Sequence, residues 1–363
     1  MSGPHKTKRI ALMAGALAVA GALAVPALTG LSLVGAAPSG SRLQVEGTMA
    51  GFDGATTWLN SAPLTAPKLR GKVVLVDFWT YSCINCIRSM PYVRAWAAKY
   101  RDQGLTVVGV HTPEFKFEED LVNINAAVGR FQIDFPVAVD SQHKIWQAWG
   151  NRYWPAFYLV DAQGKIRFHQ FGEGGYDKME LAIQSLLAEA SGRPGDGKLV
   201  NPQAGAEHMA PALGSIGSDE TYVGYEKASN FRGAPRLRED RLQTYTMANL
   251  GLNQWALAGG WVVGAESAVA AESGAALAHQ FSARDLHLVM GPGAAGAKVR
   301  IKVTLDGRAP GADHGADIDA EGNGVVDATR LYQLVRQSGR VSQRRFEVRF
   351  LDKGAEAFAF TFG

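Results

Sequence analysis

The sequence predicts an α/β domain followed by an all-β sandwich domain, behind an N-terminal apolar segment. Three observations carry this. Val73–Val76 is an uninterrupted apolar run of buried-strand type, and after a polar turn Ile87, Met90, Val93, Trp96 and Tyr100 fall on one helical face. Leu105–His111 is a second buried strand, so strand–helix–strand order predicts a parallel pair with a right-handed crossover. Beyond about residue 217, short alternating stretches are divided by turns rich in Gly, Pro and Asp, the mark of an antiparallel sandwich. The chain has 363 residues, 47% apolar and 20% charged, an ordinary balance for two globular domains. Its net charge of +3 is too weak to imply nucleic acid.

Taken in order, the chain opens on a basic segment, His5–Arg9, followed by an uncharged run from Ile10 to Ala37. That run exceeds the roughly 7–15 apolar residues of a cleaved signal and reaches the roughly 20 needed to span a bilayer. Residues 10–37 are therefore expected to be an uncleaved membrane anchor, with cleavage after Gly35-Ala36-Ala37 as the alternative. With the basic flank kept cytoplasmic, both place the remainder in the periplasm or cell envelope. Residues 1–40 are assigned to this signal or anchor, 45–190 to the α/β domain, 191–216 to a linker and 217–363 to the sandwich.

Within 45–190, Trp58–Asn60 is expected as a short β element and Val73–Trp79 as the first buried strand. A helix is expected from Phe117 to about Phe131, a strand over Phe135–Val139 and a helix over Ser141–Trp149. Ala156–Val160 and Lys165–Phe171 form a hairpin through Asp161-Ala162-Gln163-Gly164. Tyr176–Glu189 closes the domain as a helix. Gly172-Glu173-Gly174-Gly175 lacks the lysine and hydroxyl of a phosphate loop and is read as a plain loop. Residues 191–215 are rich in Pro and Gly. The sandwich strands are expected at Gln254–Val263, Ala276–Phe281, Leu286–Met290, Lys298–Leu305, Arg345–Leu351 and Ala357–Phe362. Asp317–Gly324 looks like half of a calcium loop with Gly322 in place. Ala328 stands where the bidentate acid belongs, so a hairpin turn is the favoured account.

Cys83 and Cys86 are the only cysteines, and they stand where strand becomes helix. A helix N-terminus offers unpaired N–H groups and the positive end of the dipole, which favour a thiolate over a thiol. Cys83 is expected to be the exposed N-cap or first-turn residue and the nucleophile. Cys86, one turn on and deeper, is expected to resolve. Zinc needs about four ligands and has no second cysteine pair here, so no metal is expected. An inert structural disulfide would gain little by closing so short a loop.

The spacing around the pair resembles the thioredoxin fold. The resemblance implies that Asp77, six residues before Cys83, is a buried acid that moves the second cysteine's proton. It implies that Trp79 is the strand-end tryptophan, Pro91 a helix kink and Pro155 a cis-proline. The backbone at Trp154-Pro155 would then hold a substrate chain by β-augmentation. Within this fold, Trp79–Cys86, His111–Phe115 and Tyr153–Ala156 resemble DipZ-like proteins of the TlpA and redoxin groupings. Glu220–Tyr225, Arg330–Val335 and Phe360–Gly363 resemble that group's C-terminal jelly roll, which looks like a carbohydrate-binding module. The many-helix membrane domain of DipZ-like proteins has no counterpart in this stretch.

The function expected is thiol–disulfide exchange on extracytoplasmic proteins, with an implied link to cytochrome c biogenesis or oxidative-stress defence. Cys83, Cys86 and Asp77 are the expected catalytic residues, and Trp79, Trp154 and Pro155 the substrate-binding ones. No cofactor is required, because another thiol protein supplies electrons. Glu114, at a strand's C-terminal end, is either a proton relay or, with Glu118, Glu119 and Asp120, an acidic helix start. Two rivals remain. Thr80 fits a peroxiredoxin Thr-x-x-Cys, though Val76 replaces that motif's proline. A glycan-binding envelope protein would use Tyr222, Tyr225, Trp255 or Trp261 as sugar platforms, unless these fill the sandwich core.

Overall fold

β1 (Gly47–Thr48), β2 (Thr57–Leu59), β3 (Val73–Trp79), β4 (Leu105–His111), β5 (Val137–Val139), β6 (Ala156–Val160) and β7 (Lys165–Phe171) form one sheet, in the order β1-β7-β6-β3-β4-β5-β2. This computed structural model describes residues 43–363 except 204 and 295, and Leu43–Gly363 form one compact unit. The expected signal or anchor lies outside the described residues. Among those described, no helix is long and apolar enough to cross a membrane.

β3 is central and buried at every position, as an apolar run without alternation requires. It pairs parallel with β4 and antiparallel with β6. Helices α1 (Ile84–Tyr100), α2 (Leu121–Arg130), α3 (Lys144–Ala148) and α4 (Tyr176–Ser191) complete the domain. Met90, Val93, Trp96 and Tyr100 of α1 meet Ile183 and Leu186 of α4 in one core cluster on the sheet.

Two helices are shorter than expected, and each for a stated reason. The helix expected from Phe117 breaks at Asp120, because Glu118 turns inward to bond the β3–α1 turn. Lys116–Glu119 is a single 3-10 turn, and Asp120 then caps α2 by accepting the Val122 N–H at 2.8 Å. The helix expected from Ser141 starts at Lys144, since His143 is left-handed (φ 56°) and Asp140 accepts the N–H groups of Ile145 and Trp146.

The second domain is all β. Its strands are β8 (Thr221–Tyr222), β9 (Leu242–Tyr245), β10 (Trp255–Val263), β11 (Ala268–Ala270), β12 (Ala276–Ser282), β13 (Asp285–Gly291), β14 (Val299–Leu305), β15 (Asn323–Val326), β16 (Arg330–Arg336), β17 (Gln343–Phe350) and β18 (Glu356–Phe362). β10 crosses between layers. Trp255–Ala258 pair with β12, whereas Gly259–Val262 pair with β9 and Trp261–Val263 with β11. The turn-over falls at Gly259, whose φ of +83° is left-handed and whose added Cβ would lie 3.2 Å from the Ala275 backbone. Trp255 and Trp261 fill the core at 0% exposure and offer no sugar platform. Tyr225 is half-buried, its hydroxyl donated to Asp240. Asp319–Asn323 is a turn: Gly322 N–H donates to Asp319 O, and Asn323 N–H and amide donate to the Asp319 carboxylate.

The stretch expected as a linker lies along the first domain. Val200 N–H donates to Glu180 at 2.8 Å, and Glu207 pairs with Arg130 at 3.8 Å. The domains also touch directly. Phe358 of β18 sits edge-on to Phe117 at 4.6 Å between centroids and to Phe115 at 5.6 Å. Beside this apolar seam, Arg88 of α1, 2% exposed at its side chain, bridges Glu173 at 3.3 Å and Asp285 of β13 at 3.2 Å.

Arg88→Met should therefore destabilise the chain by roughly 3 kcal/mol, because a buried carboxylate is left unpaired. Asp285 keeps Arg284 and Arg336, so Glu173 carries most of the loss. Urea unfolding checks this, and adding Glu173→Gln should restore part of it. An unchanged midpoint in Arg88→Met would refute the assignment.

Candidate active site

β3 ends at Trp79, and the turn Thr80–Ser82 delivers the chain to the start of α1. Cys83 is the N-cap in extended conformation (φ −80°, ψ 114°), and its Sγ accepts the Cys86 N–H at 3.2 Å. The sulfur thus takes the place of a capping oxygen at a helix end whose first N–H groups lack intrahelical acceptors. Both cysteines are free; Cys83 is half-buried and Cys86 is 1% exposed. Burial, then the hydrogen bond to Cys83, push the Cys86 thiol well above its usual range. Cys86 therefore keeps its proton until a base takes it.

Asp77 lies on β3 within electrostatic reach of Cys86. It is 1% exposed, and neither carboxylate oxygen has a hydrogen-bond partner among the described residues. Burial alone pushes it up to about 8. An acid that titrates there can hold or accept a proton at neutral pH.

The turn before Cys83 is held by Glu118, which the sequence suggested only as part of an acidic helix start. Its buried carboxylate accepts from Ser82 Oγ at 2.6 Å, Ser82 N at 3.3 Å, Glu114 N at 2.6 Å and Phe115 N at 3.1 Å. One acid so ties the cysteine turn to the loop after β4. The only sequence sign was an acid directly after Phe115-Lys116-Phe117.

The Trp154–Pro155 bond is cis. Trp154 Nε1 donates to Thr112 O at 3.1 Å, and its ring lies 4.2 Å from that of Trp146. Trp79, expected at the substrate face, is instead 1% exposed and packed on His111 and Phe131. Pro155 is buried, while Trp154 is half-buried and faces open space.

That space is a cleft of about 330 Å³ with Cys83 in its wall. The first domain supplies Ile84, Asn85, Glu114, Arg152, Tyr153 and Trp154, and the second supplies Ser218, Glu220, Tyr222, Val289, Ala359 and Thr361. Tyr222 Oη stands 2.5 Å from Glu114 Oε1 and 2.9 Å from Glu220 Oε2. One phenolic proton serves only one of the two acids. Although part of the residue is exposed, desolvation of its carboxyl and then the Glu114 charge push Glu220 up to about 7. Lys227 lies 3.5 Å from Glu114 and 4.4 Å from the Tyr222 ring centre. The site thus unites Cys83, Cys86, Asp77, Glu114 and Trp154 with a wall from the second domain that no local motif announced.

Residues 36–181 match the Redoxin family, and residues 218–363 match the family described as thioredoxin like C-terminal domain. The chain is 34% identical over 326 residues to Protein DipZ of Mycobacterium tuberculosis (strain CDC 1551 / Oshkosh), covering 89% of this chain and 44% of that protein. It thus spans less than half the length of that relative. It is 35% identical over 136 residues to the thiol-disulfide oxidoreductase YkuV of Bacillus subtilis (strain 168), covering 38% of this chain and 91% of that protein. Among solved structures, the solution structure of a thioredoxin-like protein in the oxidized form is 34% identical, with a TM-score of 0.36, covering 41% of this chain and 98% of that one.

Proposed function

The chain belongs to the redoxin family of thioredoxin-like thiol–disulfide oxidoreductases, and we propose that it exchanges disulfides with extracytoplasmic proteins through Cys83 and Cys86. The observation that carries this is Cys83 itself. Its sulfur caps a helix, opens on a cleft and has a buried second thiol one turn away.

In the reducing direction, the Cys83 thiolate attacks one sulfur of a substrate disulfide. A bond forms between Cys83 Sγ and that sulfur, the substrate S–S bond breaks, and the other substrate sulfur leaves as a thiolate that takes up a proton. Cys86 then loses its proton and attacks Cys83 Sγ, which closes the Cys83–Cys86 disulfide and expels the first substrate sulfur. Two electrons pass to the substrate, and a donor thiol protein restores the pair. Asp77 is assigned the Cys86 proton, since its carboxyl titrates near neutral pH within that thiol's field. The backbone at Trp154-Pro155 is assigned to hold the partner chain. Glu114 is assigned to proton delivery at the cleft.

Cys86→Ser tests the scheme, because it keeps the attack and removes the resolution. Expressed in cells, it should accumulate mixed disulfides on Cys83 that a reductant releases; their absence would overturn the scheme. The envelope location rests on the basic and apolar pattern of residues 5–37. A membrane-impermeant maleimide should therefore label Cys83 in intact cells, and labelling only after lysis would refute that location.

A further inference from the structure

The second domain forms the far wall of the cleft that holds Cys83. Ser218, Glu220 and Tyr222, from β8 and its lead-in, all line this wall. Tyr222 pairs with Ala359 of β18, and Ala359 pairs with Val289 of β13, which extends the wall across three strands. The wall carries polar groups the fold does not use fully. Thr361 Oγ1 is buried with no hydrogen-bond partner among the described residues. Glu220 makes no ion pair within 4.0 Å among them, whereas Glu114 has Lys227. Across the cleft, Arg152 is exposed and makes no ion pair within 4.0 Å among the described residues.

We propose that this second-domain wall selects the substrate: the cleft takes an extended polypeptide segment bearing its disulfide, and Glu220 favours a basic residue beside the reacting cysteine. This rests on the exchange chemistry assigned to Cys83 above. A cleft of about 330 Å³ lies at the lower end of ligand sites, roughly 300–1,000 Å³. It admits a strip of chain and excludes the broad face of a folded domain. An orphaned hydroxyl such as Thr361 Oγ1 gains a partner when a peptide group passes it. A basic side chain reaching Glu220 meets an acid that no cation among the described residues pairs with directly, Lys227 acting on it only from beside Glu114.

The test uses the reduced full chain and two flexible peptide disulfides that differ only in Lys or Glu next to the cysteine. Oxidised glutathione and a compact disulfide-bonded protein serve as further substrates. Wild type should prefer the Lys peptide in kcat/KM by about two- to fivefold, the scale of a partly exposed ion pair. Glu220→Lys should reverse the preference, and unfolding at the wild-type urea concentration checks that losing the Tyr222 contact leaves the fold intact. Thr361→Val should lower turnover of both peptides alike. A preference unmoved by Glu220→Lys overturns the inference, as does a higher kcat/KM for glutathione or for the compact protein. In those cases exchange at Cys83 still stands. No exchange with any of these disulfides overturns both.

Discussion

Cys83→Ser should lower disulfide reduction by at least about a thousandfold, because a serine hydroxyl cannot replace the thiolate that forms the covalent intermediate. The loss should be specific to chemistry. Cys83 is half-buried at a helix N-cap, and serine is a favoured N-cap residue whose oxygen can accept the Cys86 N–H in place of Sγ. The variant should therefore unfold at nearly the wild-type urea concentration. Turbidity on insulin reduction, with a chemical thiol as donor, measures the activity. Equal rates in wild type and Cys83→Ser would end the assignment of this sulfur as nucleophile.

Asp77→Asn should raise stability at pH 8 and slow resolution of the mixed disulfide. Burial holds Asp77 up to about 8 against an ordinary 3.8. Between those values the folded chain keeps a proton that the unfolded chain has released, so stability falls as pH rises. The slope approaches about 1.4 kcal/mol per pH unit, and by pH 7 the cumulative loss is at most about 4 kcal/mol. Below pH 3.8 both states are protonated and the loss vanishes. Asparagine is neutral throughout, so wild type and variant should unfold alike near pH 3.5 and diverge by pH 8, the variant being the more stable. Resolution by Cys86 should slow by roughly a hundredfold if Asp77 is the base, while formation of the mixed disulfide should not change. Parallel stability curves from pH 4 to 8 would show that Asp77 does not carry the raised titration.

The pattern of these effects reflects how the site is built. The steps that make and break S–S bonds depend on three residues of one strand–turn–helix unit, Asp77, Cys83 and Cys86, whereas the shape of the cleft depends on contacts over 100 residues away in sequence. Glu114 and Tyr222, 2.5 Å apart, are separated by 108 positions, and Arg88 and Asp285 by 197. Glu118 shows the same divide on a smaller scale. Its place in an acidic run suggested a helix start, but its four hydrogen bonds run back to the cysteine turn and the loop after β4.

The sequence by itself determined the buried strand Val73–Trp79, the helix beginning at the cysteine pair and the all-β texture beyond residue 217. Apolar periodicity and the fixed hydrogen-bonding needs of the backbone leave few other local solutions for such runs. The strand–turn–helix order also fixed where Cys83 would stand, at a helix end. Only the tertiary structure decided that Trp79 would be covered, that Glu118 would turn inward and that the second domain would face the reactive sulfur. These outcomes come from apolar packing and, for Glu118, from hydrogen bonds between separate elements, and no periodicity within one segment encodes which distant face will meet it.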